Sequence, residues 1–333
     1  MAWSWDFLVQ VFRGLGGTID NVARKPGRGG RGLVSIQPDK PAGIHVPANL
    51  LVPLSDLEFA DGRITLKKDA AAGSGERTFL ENYLNDLSWE SGGKAEASAF
   101  IAGLDGLPSG VKQVLSEEFA MNAFFEGGEE RARNWFLESR RLGWRDKPVI
   151  APFIELAEHD SASAPCVDHD GLALVGMFPE GVRTLRSEAD PITFFRRFGY
   201  ASPEPIAFSQ PMAAEPQGCK IEIRKKINRD ATLGSTRVPE FTRDGDSLQA
   251  SCLMLGSVPR PMVPRSIFQA MTSGMSLASA DQTFDFIQHR NRMIFLSLLE
   301  VLEPYEGSMI AEMRSVARYQ LQAMSFCIGI REL

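Results

Sequence analysis

Ile150-Ala151-Pro152-Phe153-Ile154-Glu155-Leu156-Ala157-Glu158-His159-Asp160 is the stretch on which the reading of this chain turns. Val149 to Leu156 is short and mostly apolar, bounded by turn-rich sequence, and this predicts a strand. Glu158, His159 and Asp160 follow at once, with Cys166, Asp168, His169 and Asp170 close behind. Imidazole, thiolate and carboxylate together suit zinc or iron. Their spacing matches no common metal site, and Asp168-His169-Asp170-Gly171 is a good turn sequence, so no metal is expected. Leu172 to Met177 then predicts the next strand.

Upstream, a break at Ala71 to Gly75 leads into helical periodicity. Phe79, Leu80, Tyr83, Leu84 and Leu87 share one face, as do Ala97, Phe100, Ile101 and Leu104, and helix continues from Arg131 to Arg141. Further upstream come short β-like runs broken by Gly and Pro: Arg31 to Ile36, Gly43 to Pro47, and Arg63 to Leu66 after an Asp61-Gly62 turn. Phe7 to Phe12 reads as an amphipathic helix rather than a signal peptide. Downstream, a mixed segment begins near Ala213 and bends at Pro259 to Pro264. Two long helices close the chain, one on Phe284, Ile287, Ile294, Leu298 and Leu302, the other on Ile310, Met313, Ala317, Leu321 and Met324. The order is therefore β, an α insertion, β and a mostly helical tail, an α+β pattern that a regularly alternating α/β protein would not give.

Composition bounds the function. At 333 residues the chain is long enough for two domains, and 44% hydrophobic with 23% charged residues is the balance of a soluble globular protein. A net charge of −6 argues against nucleic acid as the main partner, and Arg224-Lys225-Lys226 reads as a solvated strand end. No run approaches the ~20 apolar residues of a membrane span. The four cysteines form no C-x-x-C pair, which fits free thiols in a reducing cytoplasm.

Gly27-Arg28-Gly29-Gly30-Arg31-Gly32 lacks the ending of a P-loop and no helix follows it. It reads as a hairpin turn, or as a loop whose bare backbone approaches a cofactor. The aromatics Phe194, Phe195, Phe198, Tyr200 and Phe208 read first as core, with the lining of a channel for an alkyl chain as the alternative. No G-x-S-x-G elbow is present, and no histidine stands beside a serine or cysteine motif.

Taken in order, these segments resemble the SET-domain protein lysine methyltransferases of the Rubisco large-subunit methyltransferase type. The resemblance runs through Gly16-Gly17-Thr18-Ile19, Gly30-Arg31-Gly32-Leu33, Ala42 to Pro47, a helical insertion at 76–138, Ser139-Arg140, and Ile150 to Asp160. It continues through Phe198 to Ile206, Gln210-Pro211-Met212, and Ile328-Gly329-Ile330-Arg331 near the end. It implies a SET-type β-fold of short strands over residues 1–212, with the helical insertion inside it. A C-terminal mostly helical domain over 213–333 would dock a substrate or partner. The implied activity is S-adenosylmethionine-dependent N-methylation of a protein lysine or a smaller amine. The alternatives are a non-catalytic binding module and a SET-fold enzyme repurposed for other chemistry.

The same resemblance assigns roles. Gly29, Gly30, Arg31 and Gly32 would meet the cofactor through backbone, Arg140 would hold its carboxylate, and His159 would meet the adenine through its main chain. Glu158 replaces the family's Asn near the ammonium group. The two substrate-orienting tyrosines are replaced by Phe198 and Gln210. Tyr200, two residues on and on the same face of a predicted strand, would take over from the first, and Gln210 offers an amide at the second.

Overall fold

Ala42–Pro47 alternates buried Ala42, Ile44 and Val46 with half-buried Gly43, His45 and Pro47, the period-two pattern of a strand with one face on a core. Antiparallel neighbours flank it, Thr18–Asp20 on one side and Gly171–Gly176 on the other, and Val167–Asp168 completes a four-stranded sheet. The register sets Ile44 opposite Leu174 and Val46 opposite Leu172. Chain from before and after the inserted helices thus builds one sheet.

The computed structural model describes residues 3–25, 27, 31–128, 130–145, 147–186, 189–224, 239–277 and 279–325. These residues form an α+β chain of short strands and several helices, with a mostly helical C-terminal region. The chain divides into two compact units. Among the described residues the first holds 3–102 and 128–186, and the second holds 103–127, 189–224 and 239–325.

In the first unit, small ribbons surround the four-stranded sheet. Val22–Arg24 pairs with Leu33–Ser35, and Leu57–Ala60 with Arg63–Leu66 around Asp61 and Gly62, both at positive φ. Lys147–Ile150 pairs with Val52–Pro53 and Leu142–Trp144, and Glu158–His159 runs parallel to Arg183–Thr184. The helix Trp5–Gly14 starts at Ser4, whose hydroxyl accepts from the Phe7 amide, and buries Leu8 and Phe12. The inserted helix Ser74–Asn82 continues into a widened stretch, Tyr83–Gly93, that kinks at Ser91 and Gly92, the latter at φ 132°. Its aromatic packing joins Trp89 to Phe136, and Phe100 stacks on Trp135, with ring centroids 4.8 and 4.6 Å apart.

The strand expected over Val149 to Leu156 ends at Ile150 instead. Pro152 has no amide for a ladder, Phe153 adopts φ 66°, and Ile154–Leu156 forms a single 3-10 turn.

In the second unit, the aromatic run is helical. Asp190 caps Pro191–Phe198 by accepting from the Thr193 amide, Pro191 stands in the first turn, and Gly199 ends the helix at φ 77°. Ile192, Phe194, Phe195 and Phe198 are buried at helical spacing. Phe198 and Tyr200 therefore do not share a strand face, because a left-handed helix terminus stands between them. The mixed segment holds a four-stranded sheet, in the order Met212–Ala214, Lys220–Ile223, Ser247–Ala250, Phe241–Asp244, and a second ribbon pairs Ile206–Phe208 with Met254–Ser257. The helices Val263–Thr272, Ala280–Leu302 and Ser308–Ser325 follow. Gln288, buried on the second of them, donates to the Leu255 and Met324 carbonyls. No helix among the described residues is long and apolar enough to cross a membrane.

Candidate functional site

Segments far apart in sequence meet in the first unit. The Gly32 amide donates to the Leu156 carbonyl (2.9 Å), and the Val182 amide to the Leu33 carbonyl (2.8 Å). Gly32 holds φ 131°, and a Cβ there would collide with the Lys25 carbonyl, so only glycine fits the turn. A Cβ on Gly27 would sit 3.2 Å from Glu158 Oε1, which places Gly27 against that carboxylate. Of the loop residues assigned to a cofactor, Arg31 and Gly32 are described here; Gly29 and Gly30 lie outside the described residues, as does the Ile328 to Arg331 motif.

A buried polar network lies behind this loop. Arg140 is the last residue of the helix Glu130–Arg140 and is only 1% exposed. Its Nη1 donates to Glu155 Oε2 at 3.0 Å, its Nη2 lies 3.7 Å from Glu96 Oε2, and its guanidinium sits over the Phe136 ring. Arg31 Nη2 donates to the other Glu96 oxygen at 2.6 Å. Tyr83 hydroxyl donates to Glu155 Oε1 and accepts from the Phe153 amide, each at 2.8 Å. Arg186 Nη2 donates to the Arg140 carbonyl (2.7 Å), closing the helix C-terminus with a cation, and its Nη1 donates to the Glu155 carbonyl (3.2 Å).

Burial dominates the electrostatics. It pulls the Arg140 guanidinium below its ordinary pKa and pulls Arg186 down to about 9. Burial and then the Glu155 charge push the Tyr83 phenol well up, so its hydroxyl keeps the proton that it donates. Two carboxylates shared among arginines with further hydrogen bonds is the arrangement that makes buried charge tolerable.

Glu158 and His159 extend from this network. The Glu158 and Asp160 amides donate to the Val182 and Thr184 carbonyls, both at 3.2 Å, so strand alternation turns the His159 peptide groups away from that neighbour. The Arg186 amide donates to His159 Nδ1 at 3.2 Å. The Glu158 side chain is exposed. Among the described residues, no group of three or more His, Cys, Asp or Glu is arranged to hold a metal.

The structure thus joins Arg31, Arg140 and His159 through Glu96, Glu155 and Arg186; Gly32 is held beside them by its bond to Leu156, and the exposed Glu158 carboxylate lies near Gly27. Sequence reading missed Glu155, Glu96, Tyr83 and Arg186. One signal was available: Glu155 is an ionisable residue inside an apolar run, and such residues are buried only when paired.

Tyr200 and Gln210 belong to the second unit. Tyr200 packs its ring edge-on against Phe194 (5.0 Å), beside Phe198. Gln210 is 1% exposed; its amide N–H donates to Asn291 Oδ1 (2.7 Å), while neither side-chain polar atom has a hydrogen-bond partner among the described residues. A groove of about 490 Å³ in the same unit is lined by Ala213, Glu215, Phe286 and Arg290, among others.

No protein-family model matches the chain, and no curated protein does. Among solved structures, the chain is similar to the SET domain of LSMT bound to lysine and AdoHcy. The TM-score is 0.43 and the identity 13%, over 97% of this chain and 90% of that one.

Proposed function

We propose that the chain is a SET-type, S-adenosylmethionine-dependent N-methyltransferase acting on a protein lysine or a smaller amine. One observation carries this reading. The segments whose motifs resemble the family's cofactor-binding elements, Arg31-Gly32, Arg140 and Glu158-His159, converge on one network although more than a hundred positions separate the first from the last. In this reading the SET-like domain runs over residues 1–212 and the docking domain over 213–333, although residues 103–127 and 189–212 cluster with the C-terminal unit.

The residues suit the cofactor's adenine and ammonium groups, while its carboxylate meets a site already occupied by the chain's own carboxylates. The peptide groups of His159, turned away from Arg183–Thr184, would meet an adenine edge, and the exposed Glu158 carboxylate would meet an ammonium group. Arg140 does not fit as an open carboxylate anchor, because Glu155 and Glu96 already neutralise it. The bound cofactor would supply an electrophilic methyl group. The chain's own task is to align a lysine amine, whose free pKa is ~10.4, and to assist its deprotonation. We assign the alignment to Tyr200 and Gln210.

A non-catalytic binding module is the second reading. The burial of Phe198 where the family has a tyrosine, together with the neutralised Arg140, favours it. Calorimetry with S-adenosylmethionine, followed by assay of S-adenosylhomocysteine release over a panel of proteins and small amines, separates the two. Binding with turnover is expected. Binding without turnover sinks the enzyme reading and leaves the module; no binding leaves a repurposed fold.

A further inference from the structure

Glu96 stands where a ligand carboxylate would be expected. Its Oε1 accepts from Arg31, a residue of the glycine-rich loop, at 2.6 Å, and its Oε2 faces Arg140 at 3.7 Å. The side chain is 11% exposed, and the Arg31 and Arg140 side chains are 6% and 1% exposed. One carboxylate therefore bridges two buried guanidiniums, the geometry that these groups would offer to the amino-acid end of a small molecule. The bridge is uneven. Oε2 is buried yet accepts no hydrogen bond among the described residues, so only one of the two oxygens is well satisfied. Glu155 differs, because both its oxygens are bonded, to Tyr83 and to Arg140, and its side chain is fully buried. Glu155 is a fixed part of the interior, whereas Glu96 is the carboxylate that can be exchanged.

We propose that Glu96 is an internal competitor for the Arg31–Arg140 pair, displaced when a ligand carboxylate binds there. This rests on the methyltransferase reading and names the regulation of that same site. An exchange of one carboxylate for another leaves the buried charge balance unchanged, so the site can take an anionic ligand end without exposing an unpaired arginine. Affinity is then set by the difference between two similar contacts, not by the full strength of a new one.

The test compares S-adenosylmethionine with 5′-methylthioadenosine, which has the adenosine and sulfur but no carboxylate, by calorimetry on wild type, Glu96→Gln and Glu96→Ala. Thermal unfolding checks that each variant is folded, and the glutamine variant preserves side-chain volume if the alanine variant does not fold. The expected result is that Glu96→Gln binds S-adenosylmethionine about tenfold more tightly, the scale of one charge-assisted hydrogen bond, with 5′-methylthioadenosine affinity unchanged. Unchanged or weaker S-adenosylmethionine binding in Glu96→Gln overturns the competition and leaves the cofactor reading standing. Equal tightening of both ligands also overturns it, since the carboxylate would then be irrelevant. If neither ligand binds any of the proteins, the cofactor reading itself has failed, and the proposal falls with it.

Discussion

Replacing Tyr83 with Phe removes one oxygen atom and should damage the first unit out of proportion to that change. The ring is fully buried and stays packed against Phe79 and Phe153, so the packing loss is small. The hydroxyl, however, serves two groups, the Glu155 carboxylate and the Phe153 amide. Phe153 holds φ 66°, a conformation that L-residues keep only where surrounding structure enforces it. A hydrogen bond to a charged group is worth roughly 1.5–3 kcal/mol and an orphaned buried amide costs roughly 1–3, so Tyr83→Phe should destabilise by about 3 to 4 kcal/mol after partial relaxation. A chain of two units need not unfold in one step, so denaturant unfolding should be paired with amide hydrogen exchange. The Phe153 amide should exchange much faster in the variant, while amides in Ala280–Leu302 keep their protection. A variant within about 1 kcal/mol of wild type, with Phe153 still protected, would refute the view that this hydroxyl organises the network.

Arg140→Met should cost about 3–5 kcal/mol because it strands Glu155, whereas the double replacement with Glu155→Met should cost less than the sum; additive values from the cycle would dismiss the pair as a unit. Where wild type turns over an amine, Tyr200→Phe or Gln210→Ala should slow turnover more than it weakens S-adenosylmethionine binding, and unchanged turnover in both would remove these residues from the site. Burial holds the Cys166 thiol up at about 11. An acid whose pKa is raised on folding stabilises fully below its unfolded value of ~8.5 and loses that contribution as pH rises through about 11, so stability should fall by at most about 3 kcal/mol across that window. Cys166→Ala should flatten this alkaline limb of the unfolding profile, and an unchanged limb would assign it to other groups.

Much of the architecture could be read from local pattern. The strands Ala42–Pro47 and Gly171–Gly176, the hairpin around Asp61-Gly62 and the two closing helices follow from apolar periodicity and turn residues. Two errors share a cause. The strands expected over Val149 to Leu156 and at Phe198 to Tyr200 lie in short apolar stretches that read equally well as strand or helix. What decides them is punctuation, Pro152 and the φ of Phe153 in one case, the Asp190 cap and Gly199 in the other. The resemblance named the segments that meet in the first unit. It did not name Glu96, Tyr83 or Arg186, because the pairing of a buried charge depends on partners distant in sequence, and no local pattern encodes it. Nor did it reveal that Gln210 would be buried with no partner for its side-chain amide among the described residues.

The strand Ala42–Pro47 also sets a timetable. Thr18–Asp20 is available to it as soon as it is made, but Gly171–Gly176 arrives roughly 130 positions later, at the far end of the sequence-separation range that slows folding. At ribosomal rates of ~5–20 residues per second, the open edge of that strand waits on the order of ten seconds for its partner. During that interval it presents unpaired backbone groups beside Ile44 and Val46, side chains that the finished unit buries. A fragment cut inside the helical insertion would carry the same edge permanently. Expression trials that stop short of residue 176 should therefore yield aggregate, and the insertion is a poor place to open the chain for a split or permuted variant.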